Sequence, residues 1–156
     1  MHNAAFTAAA CRIARIDRQK FNDVMASGEY DCAPKAQAGY PRVFELKDLI
    51  ALFLFARLNE RGRTVKQAAR VACQAESQMR NAVNNGNDIP MHLAVAYGMN
   101  GASFVATGDD TKPDASHIAG VGAILWTEMW HLHNLRDEVK KGLAEEGRIA
   151  GGADEE

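Results

Sequence analysis

The chain has 156 residues, 18 Lys and Arg against 20 Asp and Glu, and 47% apolar residues, enough to bury a core and too apolar for disorder to be expected. Its net charge of -2 conceals a division, because residues 1–74 hold 12 basic and 7 acidic side chains whereas residues 75–156 hold 6 and 13. A basic front joined to an acidic back fits a reader of nucleic acid attached to a part that avoids it. There is no run of roughly eighteen apolar residues and residues 1–6 do not read as a secretory leader, so no membrane partner and a cytoplasmic location are expected.

Residues 7–13 read as a short helix, residues 14–16 as a tight turn, and residues 17–25 as a second helix with Asp17 as its N-cap. Phe21, Val24 and Met25 stand at offsets of three and four and face inward with Ile16. Arg18, Gln19 and Asn22 are left outward, with Lys20 on the flank. Arg pairs with guanine edges and Gln or Asn with adenine edges in a major groove, so this face has base-reading chemistry. The plain alternative is a solvated polar face.

Residues 28–44 suggest a hairpin with Lys35 and Gly39 at its tip and a return strand around residues 42–44. Between Cys32 and Phe44 lie two basic residues, Lys35 and Arg42, and no acidic one, the composition of a wing laid along phosphates. An apolar helix follows over residues 45–61 and stops at Gly62; Thr64 then caps another, reaching to about Asn81 and turning Val65, Ala68, Ala69, Ala72, Met79 and Val83 inward.

This order resembles the MerR type of transcription regulator. Gly39-Tyr40-Pro41-Arg42-Val43-Phe44 is similar to that family's wing return with one extra residue, Asp48-Leu49 to its Asp-Leu pair, and Glu60-Arg61-Gly62 to its helix end; Ala68-Ala69-Arg70-Val71 falls where its next helix runs. The resemblance covers about the first half of the chain. It implies a winged helix-turn-helix that places the second helix in the major groove of double-stranded DNA and works as a homodimer. Two departures are visible: Arg15 stands where the family's turn often has glycine, and no aromatic pair follows Phe21.

Cys11, Cys32 and Cys73 are scattered and form no Cys-x-x-Cys pair, which points to a reducing compartment and small apolar roles. Some MerR-type regulators sense metals through cysteines in their second half; with none beyond Cys73, that mode is not expected here, nor is any cofactor.

The turn formers of residues 84–90 mark a boundary between a DNA-binding domain, residues 1–83, and a second part, residues 84–156. Residues 91–98 and 102–107 flank Met99-Asn100-Gly101, a hairpin signal. Residues 108–114 read as a solvated loop, since the ligand spacing of a calcium site is missing. From Ser116 to about residue 143 the expectation is one long dimerisation helix, with Leu125, Leu132 and Val139 every seven residues and Leu135 between. Trp126 and Trp130 share a face of that helix, packing on a partner or lining an effector pocket. His131 and His133 fall on different faces and cannot share a metal. Residues 147–156 form an acidic tail expected to be mobile.

The expected fold is therefore mainly α: a winged helix-turn-helix, a following helix, a β-hairpin and a long C-terminal dimerisation helix. The expected function is homodimeric, sequence-specific transcription regulation. One alternative is an excisionase-like accessory protein of a phage or mobile element; another is a winged domain used for protein or effector binding. An enzyme is not expected, as no nucleophile with a base at motif spacing, phosphate loop or metal cluster is visible.

Overall fold

A helix that is apolar on every side has to be surrounded, and α3 (Leu46–Glu60) is such a helix, with residues 49–56 and Leu58 all buried. The computed structural model describes residues 3–99, 101, 103–108, 117–118 and 122–152. Around α3 lie α1 (Thr7–Ala14), α4 (Val65–Asn84) and α5 (Leu132–Gly152). Between α1 and α3 in sequence comes α2 (Arg18–Ala26). The fold is α-rich, with two small antiparallel sheets.

The first sheet pairs β1 (Ala4–Phe6) with β2 (Val43–Glu45), Ala4 opposite Glu45 and Phe6 opposite Val43. The second has the order β4-β3-β6-β5, built from β3 (His92–Gly98), β4 (Ser103–Gly108), β5 (His117–Ile118) and β6 (Gly122–His131). It packs on α4, where the Gln78 side chain donates to the Val105 carbonyl at 2.8 Å. One continuous apolar cluster runs from Ala5 to Leu143, through residues on both sides of position 84.

Several expectations meet their elements. Asp17 accepts from the Lys20 amide at 2.8 Å and caps α2, Thr64 accepts from the Gln67 amide at 3.1 Å and caps α4, and β3 and β4 form the expected hairpin. The α1–α2 turn is closed by the Arg15 amide on the Arg12 carbonyl and the Ile16 amide on the Cys11 carbonyl, at 3.1 and 3.0 Å. This helix end needs a left-handed residue, and Arg15 supplies it at φ 55°. Arg15 thus adopts a conformation that glycine would adopt freely.

Others are corrected. Residues 122–131 are strand: Ile124, Glu128 and Trp130 are half-buried and Ala123, Leu125, Thr127 and Met129 exposed, an alternation broken by exposed Trp126. The helix begins only at Leu132 and continues to Gly152, so the first part of the expected tail is helical. Its Leu132, Val139 and Leu143 are buried against the chain's own core, with α5 packed on α1 and α3, so this seam is not a dimer surface. Gly142 allows that approach, since a Cβ there would stand 3.0 Å from the Ile13 side chain. The return strand β2 pairs with the N-terminal strand and not with the outgoing arm of segment 31–42, where the described pairing is a bridge between Gln37 and Tyr40. Val83 is exposed, while Glu76 takes an inward position on α4. Ser116 and residues 109–114 and 153–156 lie outside the described residues.

The cysteines depart furthest from expectation. Cys11 is buried and free, but Cys32 and Cys73 form a disulfide, their Cα atoms 5.4 Å apart across 41 residues of sequence. It fastens the start of segment 31–42 to the middle of α4. A cross-link closing a loop of this size is worth up to about 4 kcal/mol in the chain-entropy account.

A small polar group sits inside the core. The Asp48 carboxylate accepts from the Glu45 amide at 2.9 Å, and Glu76 is 3% exposed with Arg80 at 3.5 Å. Burial pushes both carboxyls above their usual range, and pushes the Tyr30 hydroxyl up as well, with Asp48 and Glu76 adding to it. A carboxyl whose folded pKa is raised binds its proton more tightly folded than unfolded. Stability therefore increases as pH falls from neutral through the folded value, and the gain is complete near the unfolded value of 4.5 for Glu76.

Two predictions arise here. Glu76→Gln should stabilise the protein at neutral pH and flatten the gain between pH 7 and about 5, read from urea midpoints; a loss at neutral pH with an unchanged pH slope would contradict the assignment. Arg15→Gly should raise stability by up to about 1 kcal/mol, because it removes a left-handed non-glycine residue. Thermal unfolding measures this, and a clear loss would show that the Arg15 side chain contributes more than its backbone costs.

Candidate nucleic-acid interface

Burial first decides which face of α2 is available. Phe21 is fully buried and Val24 nearly so, and the Phe21 ring meets Tyr30 edge-on at 5.3 Å and Phe44 at 6.1 Å, while Tyr30 meets Phe55 of α3 at 5.1 Å. This aromatic chain fixes the rotation of α2 and leaves Arg18, Gln19 and Lys20 exposed and Asn22 half-buried. Lys20 is seated, its Nζ donating to Asn59 Oδ1 at 2.7 Å, and Asn59 in turn donates to the Arg63 carbonyl at 3.1 Å. Gln19 donates to Asp23 at 2.9 Å. Among the described residues the Arg18 and Asn22 side chains have no hydrogen bond or ion pair.

Segment 31–42 carries the two expected phosphate contacts in different states. Lys35 is exposed and, among the described residues, unpaired. Arg42 is half-buried and donates to the Pro34 carbonyl, so part of its guanidinium holds the segment together. Lys35 stands before the turn at residues 38–39 that the Gln37–Tyr40 bridge closes, and Arg42 braces the segment from within.

Lys66 and Arg70 were not singled out by sequence. Both are exposed on the first two turns of α4 and line a cavity of about 620 Å³ between α4 and residues 27–31. A second recess of about 470 Å³ joins Gln19 and Lys20 of α2 to Val65 at the start of α4. The outer face of α2 is thereby continuous with the head of α4. The sequence signal is two cations four apart behind a Thr N-cap, a spacing that puts them on one helix face. Asp17, Asp23, Glu29 and Asp31 stand in the same two recesses, so the surface is mixed in charge.

Trp126 and Trp130 belong to a separate cluster on β6. Trp126 stacks on Tyr97 at 4.9 Å with the planes 16° apart, and the Arg63 guanidinium lies 4.0 Å over Tyr97 and 5.3 Å from Trp126. Glu128 pairs with Arg63 at 2.5 Å and accepts from the Tyr97 hydroxyl at 3.3 Å; burial, then the Glu128 charge, pushes that hydroxyl up to about 12. Trp126 is therefore occupied in covering an ion pair. Trp130 has Arg61 at 5.9 Å and lines a recess of about 290 Å³ with Arg61, Glu128 and Met129.

His131 packs edge-on against His92 at 4.9 Å, while His133 meets the Ile89 carbonyl at 2.9 Å, and no group of three metal-ligating side chains occurs among the described residues. No helix among them is long and apolar enough to cross a membrane. No protein-family model matches the chain, and no curated protein matches its sequence.

Proposed function

We propose that the chain is a sequence-specific DNA-binding regulator of the winged helix-turn-helix kind, with α2 in the major groove and Lys35 on a phosphate. The observation that carries this reading is α2 itself: a capped helix, locked in rotation by Phe21 and Tyr30, that presents Arg18, Gln19 and Asn22 beside a tight turn from α1. A face that must discriminate bases needs fixed geometry before it needs charge, because a bidentate contact is lost with small displacements. The exposed cations Lys35, Lys66 and Arg70 on neighbouring elements supply backbone attraction. The accessory-protein alternative makes the same contacts and differs in purpose. Use of a winged domain for protein binding is the reading that loss of DNA binding would favour.

A single short helix reads few base pairs, so the proposal includes a homodimer that brings two copies of α2 to adjacent groove faces. With the α5 seam consumed inside the subunit, the surface for it is β6. Among the described residues, β6 beyond Ala123 pairs with β3 on one edge and with nothing on the other, and Leu125 and Met129 are 54% and 45% exposed. A second β6 laid antiparallel along that edge completes the ladder about a two-fold axis.

Arg18→Ala, Gln19→Ala and Asn22→Ala should each keep stability within about 0.5 kcal/mol and lose about 1–3 kcal/mol of discrimination on the selected site, with little loss on unrelated DNA. Competition binding measures it; three folded variants that bind as the parent does would remove α2 from the interface. Leu125→Lys combined with Met129→Lys should give a monomer by light scattering. A dimer that survives both changes would move the interface away from β6.

A further inference from the structure

Segment 31–42 is lightly held. Its far end is fixed by buried Phe44 and its near end by buried Tyr30; between them Cys32, Ala33, Pro34 and Arg42 are half-buried, with Cys32 and Ala33 packed on the core cluster, and the other side chains are exposed. Arg42 donating to Pro34 and the bridge from Gln37 to Tyr40 are contacts within the segment. The Cys32–Cys73 disulfide is thus the covalent tie between this segment and α4. The sulfur-bearing end on α4 is open: Cys73 is half-buried and lines the cavity of about 620 Å³. Arg70 precedes Cys73 by one turn and Lys66 by two, both on the cavity wall, and Gln74 lines it with a buried side-chain oxygen that lacks a partner among the described residues.

We propose that Cys73 is a site of thiol–disulfide exchange with small anionic thiols, and that exchange there frees segment 31–42 and weakens the DNA binding on whose reading this regulation rests. The incoming thiol loses its proton to water, and its thiolate attacks Cys73 Sγ through the cavity. The Cys73–Cys32 bond breaks as the new sulfur–sulfur bond forms, and the departing Cys32 thiolate takes a proton from water. The product is a mixed disulfide on Cys73, with the carboxylates of the added group facing Lys66 and Arg70, and a free thiol on Cys32. A second thiolate attacking the mixed disulfide at the added sulfur leaves Cys73 reduced and carries away the oxidised thiol dimer; two electrons enter the protein in total. The cavity wall also carries Glu29 and Asp31, so it is the placement of Lys66 and Arg70 two turns and one turn before Cys73 on α4 that favours an anionic attacker and a thiolate leaving group. Free Cys11, 2% exposed, is beyond reach and serves as an internal control.

The test uses the whole chain purified without reductant, reduced glutathione as the probe and 2-mercaptoethanol as its neutral counterpart. Denatured protein should first show one free thiol, that of Cys11; three free thiols would overturn the proposal. Acid-trapped peptide mapping should then place the glutathione adduct on Cys73. Lys66→Ser with Arg70→Ser should slow adduct formation about tenfold for glutathione and leave the neutral thiol within about twofold. An adduct on Cys32, or equal slowing for both thiols, would overturn the site. Exchange should speed tryptic cleavage after Lys35 several-fold, and unchanged cleavage would overturn the release of the segment. On a mixed-sequence duplex, the exchanged protein should bind about three- to tenfold more weakly with a salt slope about one unit shallower. Equal binding by both states would overturn the regulation. Adduct and release as expected, with neither state binding DNA, would sink the DNA-binding reading and leave the exchange site standing.

Discussion

The burial of α3 on all sides is the constraint from which the rest of the architecture takes its positions. A helix with apolar residues from 49 to 56 on every face cannot sit at a surface, so α1, α4 and α5 must wrap it. The wrapping also orients α2. Phe55 of α3 holds Tyr30, Tyr30 holds Phe21, and Asn59 at the end of α3 receives Lys20. Arg57 of α3 donates to the Ala14 carbonyl at 3.0 Å and lies 4.8 Å over Phe53, fixing the end of α1 just before the turn. The direction in which Arg18, Gln19 and Asn22 point is thus set by the central helix and not by the two-helix unit alone.

The front of the molecule was legible because local rules govern it. Asp17 and Thr64 cap where capping chemistry puts them, and Phe21 and Val24 are buried where helical spacing puts them. Over residues 122–143 the sequence was ambiguous in a physical sense. A spacing of four places Trp126 and Trp130 on one side of a helix and equally on one side of a strand, so their pairing chose neither. Residues 123–126 are all apolar and Glu128 takes a half-buried position while Leu125 and Met129 are exposed, so no apolar–polar alternation marks the strand, and the seven-residue repeat of Leu125, Leu132 and Val139 crosses a strand–helix junction. The seam on α5 is real as a pattern and serves an intramolecular contact, because a repeat states that a stripe is buried and not what buries it. The disulfide was illegible for a different reason: residues 41 apart with no motif between them meet only once α4 is in place.

The candidate interface joins fixed geometry to modest charge. Lys20, Lys66 and Arg70 share their surface with Asp17, Asp23, Glu29 and Asp31, so under the proposed function attraction to phosphates would be partly cancelled and discrimination would depend on contacts made by α2. Under that balance the placement of segment 31–42, with Lys35 clear of acidic neighbours in sequence, carries weight out of proportion to one residue. Its tie to α4 through Cys32 and Cys73 joins the segment that carries Lys35 to the helix that braces the core.

The central claim is that the chain selects particular DNA sequences. Purified protein mixed with fragmented genomic DNA at moderate salt, followed by recovery and sequencing of what it retains, tests that claim most directly. The account predicts enrichment of one inverted-repeat motif whose half-sites are one helical turn apart, about 10 base pairs. Retention of fragments without any shared motif, or no retention even at low salt, would contradict it.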